Sequence, residues 1–378
     1  MQLVLDGKCA GECYEPDGWA KLKDEPTDKT EGRVGRTMLG EHQTPQEHVN
    51  ITMELEEIPK ILAMILNNEK QYATSEKSAR YTNIVNSPGL TESQKDLYNQ
   101  WFVIIQKLIT KKYGDVFDPN KIKKLAQENA RYFISVFVPT QMIHTVPLAQ
   151  LNRIAGWLGD LAGCIEKNQM PPEELVFFNK MYSSIVLFLG ELSRLNLLYE
   201  DLQSNRKQRA ISLFAERTLE NYHVADSFGD DVYVTSYWGS FAQFAQAHRH
   251  RTLWYEMVKP IVGETSQFYV PPIIADAGLT RQWLNDMYLV KDDFPQGMMV
   301  KINEKGPIDA FILKCKERLC SAAQLEIMQQ TTKTLSMMQA AGVKKVQDIP
   351  VKARCQFKDY TCPTPCGFAE GINLTRII

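Results

Sequence analysis

Apolar residues recur at three-to-four spacing over residues 52–67, 94–111, 120–135, 145–165, 172–203, 206–221, 238–249, 307–328 and 328–341, which predicts a helix over each stretch. Strands are fewer. VNITMEL (49–55) and DVYVTSY (231–237) are short, β-branched or aromatic and near-alternating, and GMMVKI (297–302) is a third candidate. The pattern is broken at SPGL (87–90), MPPEE (170–174), VPPII (270–274) and a Pro/Cys tail, and the charged run SNRKQR (204–209) reads as a linker.

The same pattern repeats within the chain. A shift of 160 residues lays Pro147 on Pro307, Ala162 on Ala322 and Glu166 on Glu326, so that TVPLAQLNRIAGWLGDLAGCIEK covers KGPIDAFILKCKERLCSAAQLEI. Before that overlap each half carries a short strand, a helix and a tyrosine-containing segment, SARYT (78–82) and SQFYV (266–270). The order of elements is conserved between the halves where the residues are not. Domains are therefore expected at 1–203 and 204–345, followed by a tail at 346–378.

Composition narrows the chemistry. At 378 residues the chain has room for two ordinary domains, and its net charge of -2 supplies no overall basic field to hold a nucleic-acid polymer. The start, MQLVLDGKCAGECYEP, lacks a basic segment leading into an apolar run, and no later stretch is expected to be apolar for the length of a membrane span. The expectation is a cytoplasmic protein with no membrane partner. Eight cysteines are too sparse for a disulfide framework, and Cys164, Cys315 and Cys320 fall where core packing is expected. Against this background QAHRHRTLWYEM (246–257) stands out, with His248, Arg249, His250 and Arg251 consecutive in a chain of six histidines. His248 and His250 are two apart and point to different helical faces, which argues against a metal pair. A solvated helix end and an anion site remain.

Several motifs together resemble the flavin-dependent thymidylate synthase (ThyX) family. GEHQTPQEHVNITMELEEIP (40–59), followed by SEKSARYT (75–82), is similar to the family's Gly-His-x-Ser/Thr-Pro-x-Glu-His and Ser-x-Arg-Tyr segments. In the second half QAHRHRT is similar to Gln-x-x-Arg-His-Arg, SQFYVPP to the Ser-x-Arg-Tyr region, DDFPQGMM to Ala-Arg-x-x-Leu-Pro, and ERLCSAAQLEI to the Leu-Arg-x-x-x-x-Ala-Gln-x-Glu-Ile helix. The resemblance spans most of residues 10–335 in two copies. It implies an α+β fold of two tandem ThyX-like domains, each a small, mostly antiparallel sheet packed with long helices. It also implies a homodimer acting as a pseudo-tetramer.

Roles carried over from the family divide between the copies. The first keeps one share of a nucleotide site as Glu76, Ser78, Arg80 and Arg131; the second keeps the other as Gln246, Arg249 and Arg318. Asn68, Glu69 and Lys70 stand where the first copy would read Arg-His-Arg, Leu158 stands for its helix arginine, and Phe268 replaces an arginine of the second. The losses are complementary. The resemblance implies one composite site for a pyrimidine deoxynucleotide monophosphate, in which Arg249 and Arg318 act on the reacting base and phosphate. It implies FAD as cofactor, approached by Glu47, His48, Arg249, His250 and Arg251, with NADPH and methylenetetrahydrofolate as co-substrates. Methylation of dUMP at C5 leads, hydroxymethylation or another C5 modification follows, and a non-catalytic nucleotide-binding relic is the third reading.

The sequence also departs from the family. Where the family's flavin-binding Asn-x-Arg would fall, the copies read Pro147 and Ala149, and Pro307 and Asp309; the second copy also inserts VKPIVGE before Ser266. Beyond both copies the tail spaces Cys355, Cys362 and Cys366 as Cys-x6-Cys-x3-Cys. That spacing leaves a structural metal and a set of free thiols as the two readings.

Overall fold

Among the described residues the strands are collected into two sheets with a shared plan. In the computed structural model, which describes residues 2–39, 47–78, 84–204, 213–215, 226–320, 322–350, 361–362 and 376–378, the first sheet has the order β1-β3-β2, from β1 (Asn50–Pro59), β2 (Ala73–Glu76) and β3 (Pro139–Pro147). The second contains β4 (Phe214–Ala215), β5 (Ser227–Phe228), β6 (Val232–Ser240), β7 (Trp254–Val258) and β8 (Met299–Pro307), in the order β4-β7-β8-β6-β5. β2 is antiparallel to β3, and β6 and β7 are antiparallel to β8; the two-residue β4 joins β7 in parallel.

Their registers correspond residue by residue. Ala73 faces Thr145 and Glu76 faces Met142, while Trp254 faces Lys305 and Met257 faces Ile302, so the partners in β3 and β8 stand 160 residues apart. Leu148 N donates to Val49 O and Ile308 N to Asp231 O, both at 2.8 Å. Lys60 N and Ile61 N donate to Val138 O and Val136 O, as Phe241 N and Ala242 N do to Met298 O and Gln296 O. The 3-10 turns Arg131–Phe133 and Lys291–Asp293 keep the same offset. β1 has ten residues against nine in β6, and Glu57 takes a left-handed φ of 53° within β1, which is how an extra residue is accommodated in a strand.

Several predicted helices begin as strands. The stretch 52–67 is β1 and then the helix Lys60–Leu66; 145–165 is the end of β3 and then Leu148–Glu166; 238–249 is the end of β6 and then Phe241–Ala247. In each case apolar residues at the strand end are followed directly by an apolar helix, and helical spacing reads through the junction. The stretch 120–135 ends as helix at Ala130, 172–203 divides into Pro172–Arg194 and Glu200–Ser204, and 307–328 ends as helix at Arg318, the next beginning at Leu325. Most of 206–221 lies outside the described residues, but Phe214–Ala215 within it is strand, not helix.

Contacts group the chain into two units that do not follow the division at residue 203. The first comprises Met1–Ile58, Ile65–Glu76 and Thr140–Ile211. In it Arg33 grips Glu25 with two hydrogen bonds of 2.7 Å, which holds the Glu25 carboxyl down at about 2. Helix Pro172–Arg194 belongs here and corrects one expectation, being long and apolar enough by length and composition to cross a membrane. It buries Phe177, Phe178, Met181, Ile185 and Leu192, the stripe of a helix that packs within a protein.

The second unit comprises Pro59–Met64, Lys77–Pro139 and Ser212–Ile378. Its longest helix, Glu92–Tyr113, starts at a capping box in which Thr91 and Gln94 satisfy each other's backbone N–H, and Asp118 caps the next helix, Pro119–Ala130. Trp101 is wholly buried, lies edge-on to Trp283 at 4.9 Å between centroids, stacks near Phe133 and donates Nε1–H to Asp286 at 2.9 Å. Replacing Trp101 with Ala should lower stability by about 3–5 kcal/mol, read from the urea midpoint of cooperative unfolding.

Candidate functional site

The polar centre of the second unit is assembled at chain junctions. Ser240, the last residue of β6, caps the helix Phe241–Ala247 by accepting Gln243 N at 3.0 Å. That helix is short, so Gln246 lies in its final turn and the chain then bends through His248 and Arg249, with His250 N donating to Ala247 O. The bend buries His250 and leaves Arg251 exposed. Arg131 ends the helix Pro119–Ala130, Arg318 ends the helix Ile308–Arg318, and Gln324 precedes the helix Leu325–Ala340.

These junctions converge. Arg131 Nη2 and Gln246 Nε2 both donate to Gln324 Oε1, each at 2.6 Å, and Arg318 Nη2 donates to Gln246 O at 3.2 Å. Gln324 Nε2 donates to the Tyr132 hydroxyl, which donates to Glu326 Oε2 at 2.9 Å. Glu326 also accepts Ser240 N at 2.8 Å and Ser240 Oγ at 2.6 Å. Arg131 and Gln246 are only 5% and 9% exposed. Burial raises the Glu326 carboxyl above its ordinary range, opposed by the Ser240 and Tyr132 hydrogen bonds, and burial together with Glu326 raises the Tyr132 and Tyr269 phenols well above theirs. Beside this network an open pocket of about 180 Å³ is lined by Trp238, Gln243, Tyr269, Met299 and Glu326, with the exposed Lys333 also on its wall.

His250 differs from the expectation of a flavin-facing group. It is buried, and its Nε2 accepts Arg318 Nε–H at 2.7 Å, so the ring is neutral and turned toward the arginine. Burial is the main cause that pushes its pKa down to about 2, with the charges of Arg318 and Lys314 and the neighbouring His248 adding to it; Glu317 Oε2 lies 3.8 Å from Nδ1.

The remaining candidates lie elsewhere. Arg249 is half-buried in the turn beside His250. Glu76 belongs to the first unit, where its carboxylate accepts from Asn67 Nδ2 and Thr140 Oγ1, both at 3.3 Å. Glu47 pairs with buried Arg153 at 3.1 Å in that unit, and His48 is exposed. Ser78 is half-buried, and Arg80 lies outside the described residues. Pro147 and Pro307 each close a strand and start a helix, and a proline has no N–H to offer an anion. Of the tail thiols only Cys362 is described, as a half-buried free cysteine; Cys355 and Cys366 lie outside the described residues. Among the described residues no three His, Cys, Asp or Glu side chains group as a metal site.

Residues 7–157 match the family model of the thymidylate synthase complementing protein. Over that span the chain is similar to the ThyX family. No curated protein matches the chain. The ThyX-matching span holds Arg131 and Tyr132, while Gln246, His250, Arg318, Gln324 and Glu326 lie beyond it. The sequence reading gave no role to Gln324, Tyr132 or Glu326, although the AQLEI motif contains two of them.

His250 makes stability depend on acid. Its folded pKa is depressed, so the unfolded chain takes up a proton below about pH 6.5 that the folded chain does not, and stability is full above that pH and lost as pH falls through it, by up to about 1.4 kcal/mol per pH unit. Buried His144, held down to about 4, adds a second such proton. His250→Gln should reduce the pH slope of urea stability between about pH 6 and pH 4.5 by about one proton, leaving the His144 share.

Proposed function

We propose that the chain is a tandem of two ThyX-like halves whose retained ligands form one pyrimidine-nucleotide site, and that it transfers a one-carbon unit from methylenetetrahydrofolate to C5 of dUMP. The observation that carries this reading is the convergence of Arg131, from the first half, with Gln246 from the second on Gln324, and of Arg318 on the Gln246 carbonyl. The tandem reading is supported by the matching registers, with β3 and β8 offset by 160 residues.

The chemistry suits a nucleotide monophosphate. Arg131 and Arg318 supply guanidinium donors of the kind that bind phosphate in bidentate fashion. An amide carries two N–H donors and two carbonyl lone pairs, so Gln246, already engaged with Gln324, keeps one of each for the edge of a uracil ring. Arg249 would stabilise negative charge on the uracil carbonyls as C5 reacts.

For flavin, the half-buried Arg249 and exposed Arg251 fit the anionic part of FAD, and they are the residues that would hold it. Bound FAD would supply the hydride chemistry, with NADPH as reductant. His250 instead serves Arg318. A second reading, nucleotide binding without redox chemistry, is favoured by Pro147 and Pro307, which occupy the family's flavin-ligand positions.

Two measurements separate the readings. Flavin absorbance of the purified protein, and its bleaching by NADPH, should be seen if the enzyme reading holds; a colourless protein that does not respond to added FAD would leave only the nucleotide-binding reading. In calorimetric titration with dUMP, Arg249→Ala and Arg318→Ala should each weaken binding by about tenfold or more, and unchanged affinity in both would defeat the composite site. Labelled methylenetetrahydrofolate then distinguishes a methylated from a hydroxymethylated product.

A further inference from the structure

We propose that Gln324 is a positioning residue: its single side-chain amide sets the phosphate-binding Arg131 and the base-reading Gln246 at a fixed separation before any ligand arrives. This rests on the nucleotide reading above and deepens it.

The direction of every hydrogen bond around Gln324 is determined. Arg131 Nη2 and Gln246 Nε2 can only donate, and both meet Gln324 on one atom at 2.6 Å, so that atom is the carbonyl oxygen; turning the amide over would set N–H against two donors. Its nitrogen then donates to the Tyr132 oxygen, which frees the phenol proton for Glu326 at 2.9 Å. Glu326 is held in turn by both the N–H and the hydroxyl of Ser240, the residue that caps the helix carrying Gln246. Gln246 is therefore fixed from two sides, directly by Gln324 and through its own helix by Ser240. The backbone N–H of Gln324 also approaches Gln246 Oε1 at 3.4 Å, so the two amides face each other.

No other side chain of this length does the same work. Glutamate keeps an acceptor for Arg131 and Gln246, but it cannot donate to Tyr132 and places a second carboxylate near Glu326. Leucine removes the shared acceptor in a place where Gln324 is 2% exposed and water cannot easily replace it. In either variant Arg131 and Gln246 lose the atom that relates them.

The test is a double-mutant cycle read by dUMP titration, with circular dichroism and cooperative urea unfolding as checks on the fold. Gln324→Leu should weaken dUMP binding by about tenfold or more in an otherwise natural chain, and by less than about threefold in the Arg131→Ala background, because its effect runs through that arginine. Gln324→Glu should follow the same pattern and serves if the leucine variant does not fold. Equal losses in both backgrounds, or unchanged binding by folded Gln324→Leu, would overturn the positioning role; so would failure of both variants to fold, which would assign the amide to folding alone. If the unmutated chain does not bind dUMP, the nucleotide reading fails instead.

Discussion

Two backbone hydrogen bonds hold the second unit at its centre. Val136 N donates to Phe294 O at 3.0 Å and Gln296 N donates to Ile134 O at 2.8 Å, on either side of an antiparallel bridge between Ser135 and Pro295. The segments that cross there stand 160 residues apart and are bonded in the same way to each other. One residue further on, Gly297 N reaches Tyr132 O at 2.8 Å, an approach that needs glycine: a Cβ at 297 would lie 3.0 Å from the Tyr132 Cβ and 3.2 Å from its oxygen. Each such bond is worth only about 1 kcal/mol net, but leaving it unmade in a buried place costs more. The crossing therefore fixes where Arg131 and Tyr132 sit, and the hydrogen-bond chain to Gln324 and Glu326 follows from that.

The same unit also buries a densely hydrogen-bonded ion pair. Glu304 accepts from the Tyr233 and Tyr237 hydroxyls at 2.6 and 2.8 Å and pairs with Lys314 at 2.5 Å, both members of the pair being almost fully enclosed. Lys314 also lies over the Tyr255 ring at 5.7 Å. Burial, with Glu304 beside them, raises the Tyr233 and Tyr237 phenols well above their ordinary range, so they remain donors. Removing one member of such a pair is far more damaging than the pair is stabilising, because the other is left as an uncompensated buried charge. The same positive environment helps to keep His250 neutral and therefore able to accept from Arg318.

Much of this was legible from residues alone, and what was not has physical causes. The helix at 94–111 was evident from its apolar spacing, and the offset of 160 from three coincident residues. β3 was hidden because Val146, Leu148 and Leu151 continue a helical spacing across Pro147, where the backbone changes from strand to helix. Arg131, Gln246 and Arg318 could be nominated by resemblance, but Gln324 could not be given a role: a glutamine carries no sign of burial, and its function depends on three partners far away in sequence. The pairing of His250 with Arg318 was hidden for the same reason, since adjacency to Arg249 and Arg251 says nothing about which way a short helix turns the chain. The grouping of 77–139 with the second unit was equally invisible, because linkers are read from local composition and packing is not local.

The two halves are asymmetric in the helices that precede the crossing. Between β2 and the turn at Arg131 the 22-residue helix Glu92–Tyr113 comes before Pro119–Ala130, whereas between β7 and the turn at Lys291 the helix before Thr280–Leu289 is the five-residue Pro272–Asp276. The long helix packs Trp101 on Trp283 and pairs Lys112 with Asp276, so it attends both to the shorter helix and to the one that follows it. A gene split between the halves would give one product with a helix lacking its neighbour and another with a neighbour lacking its helix.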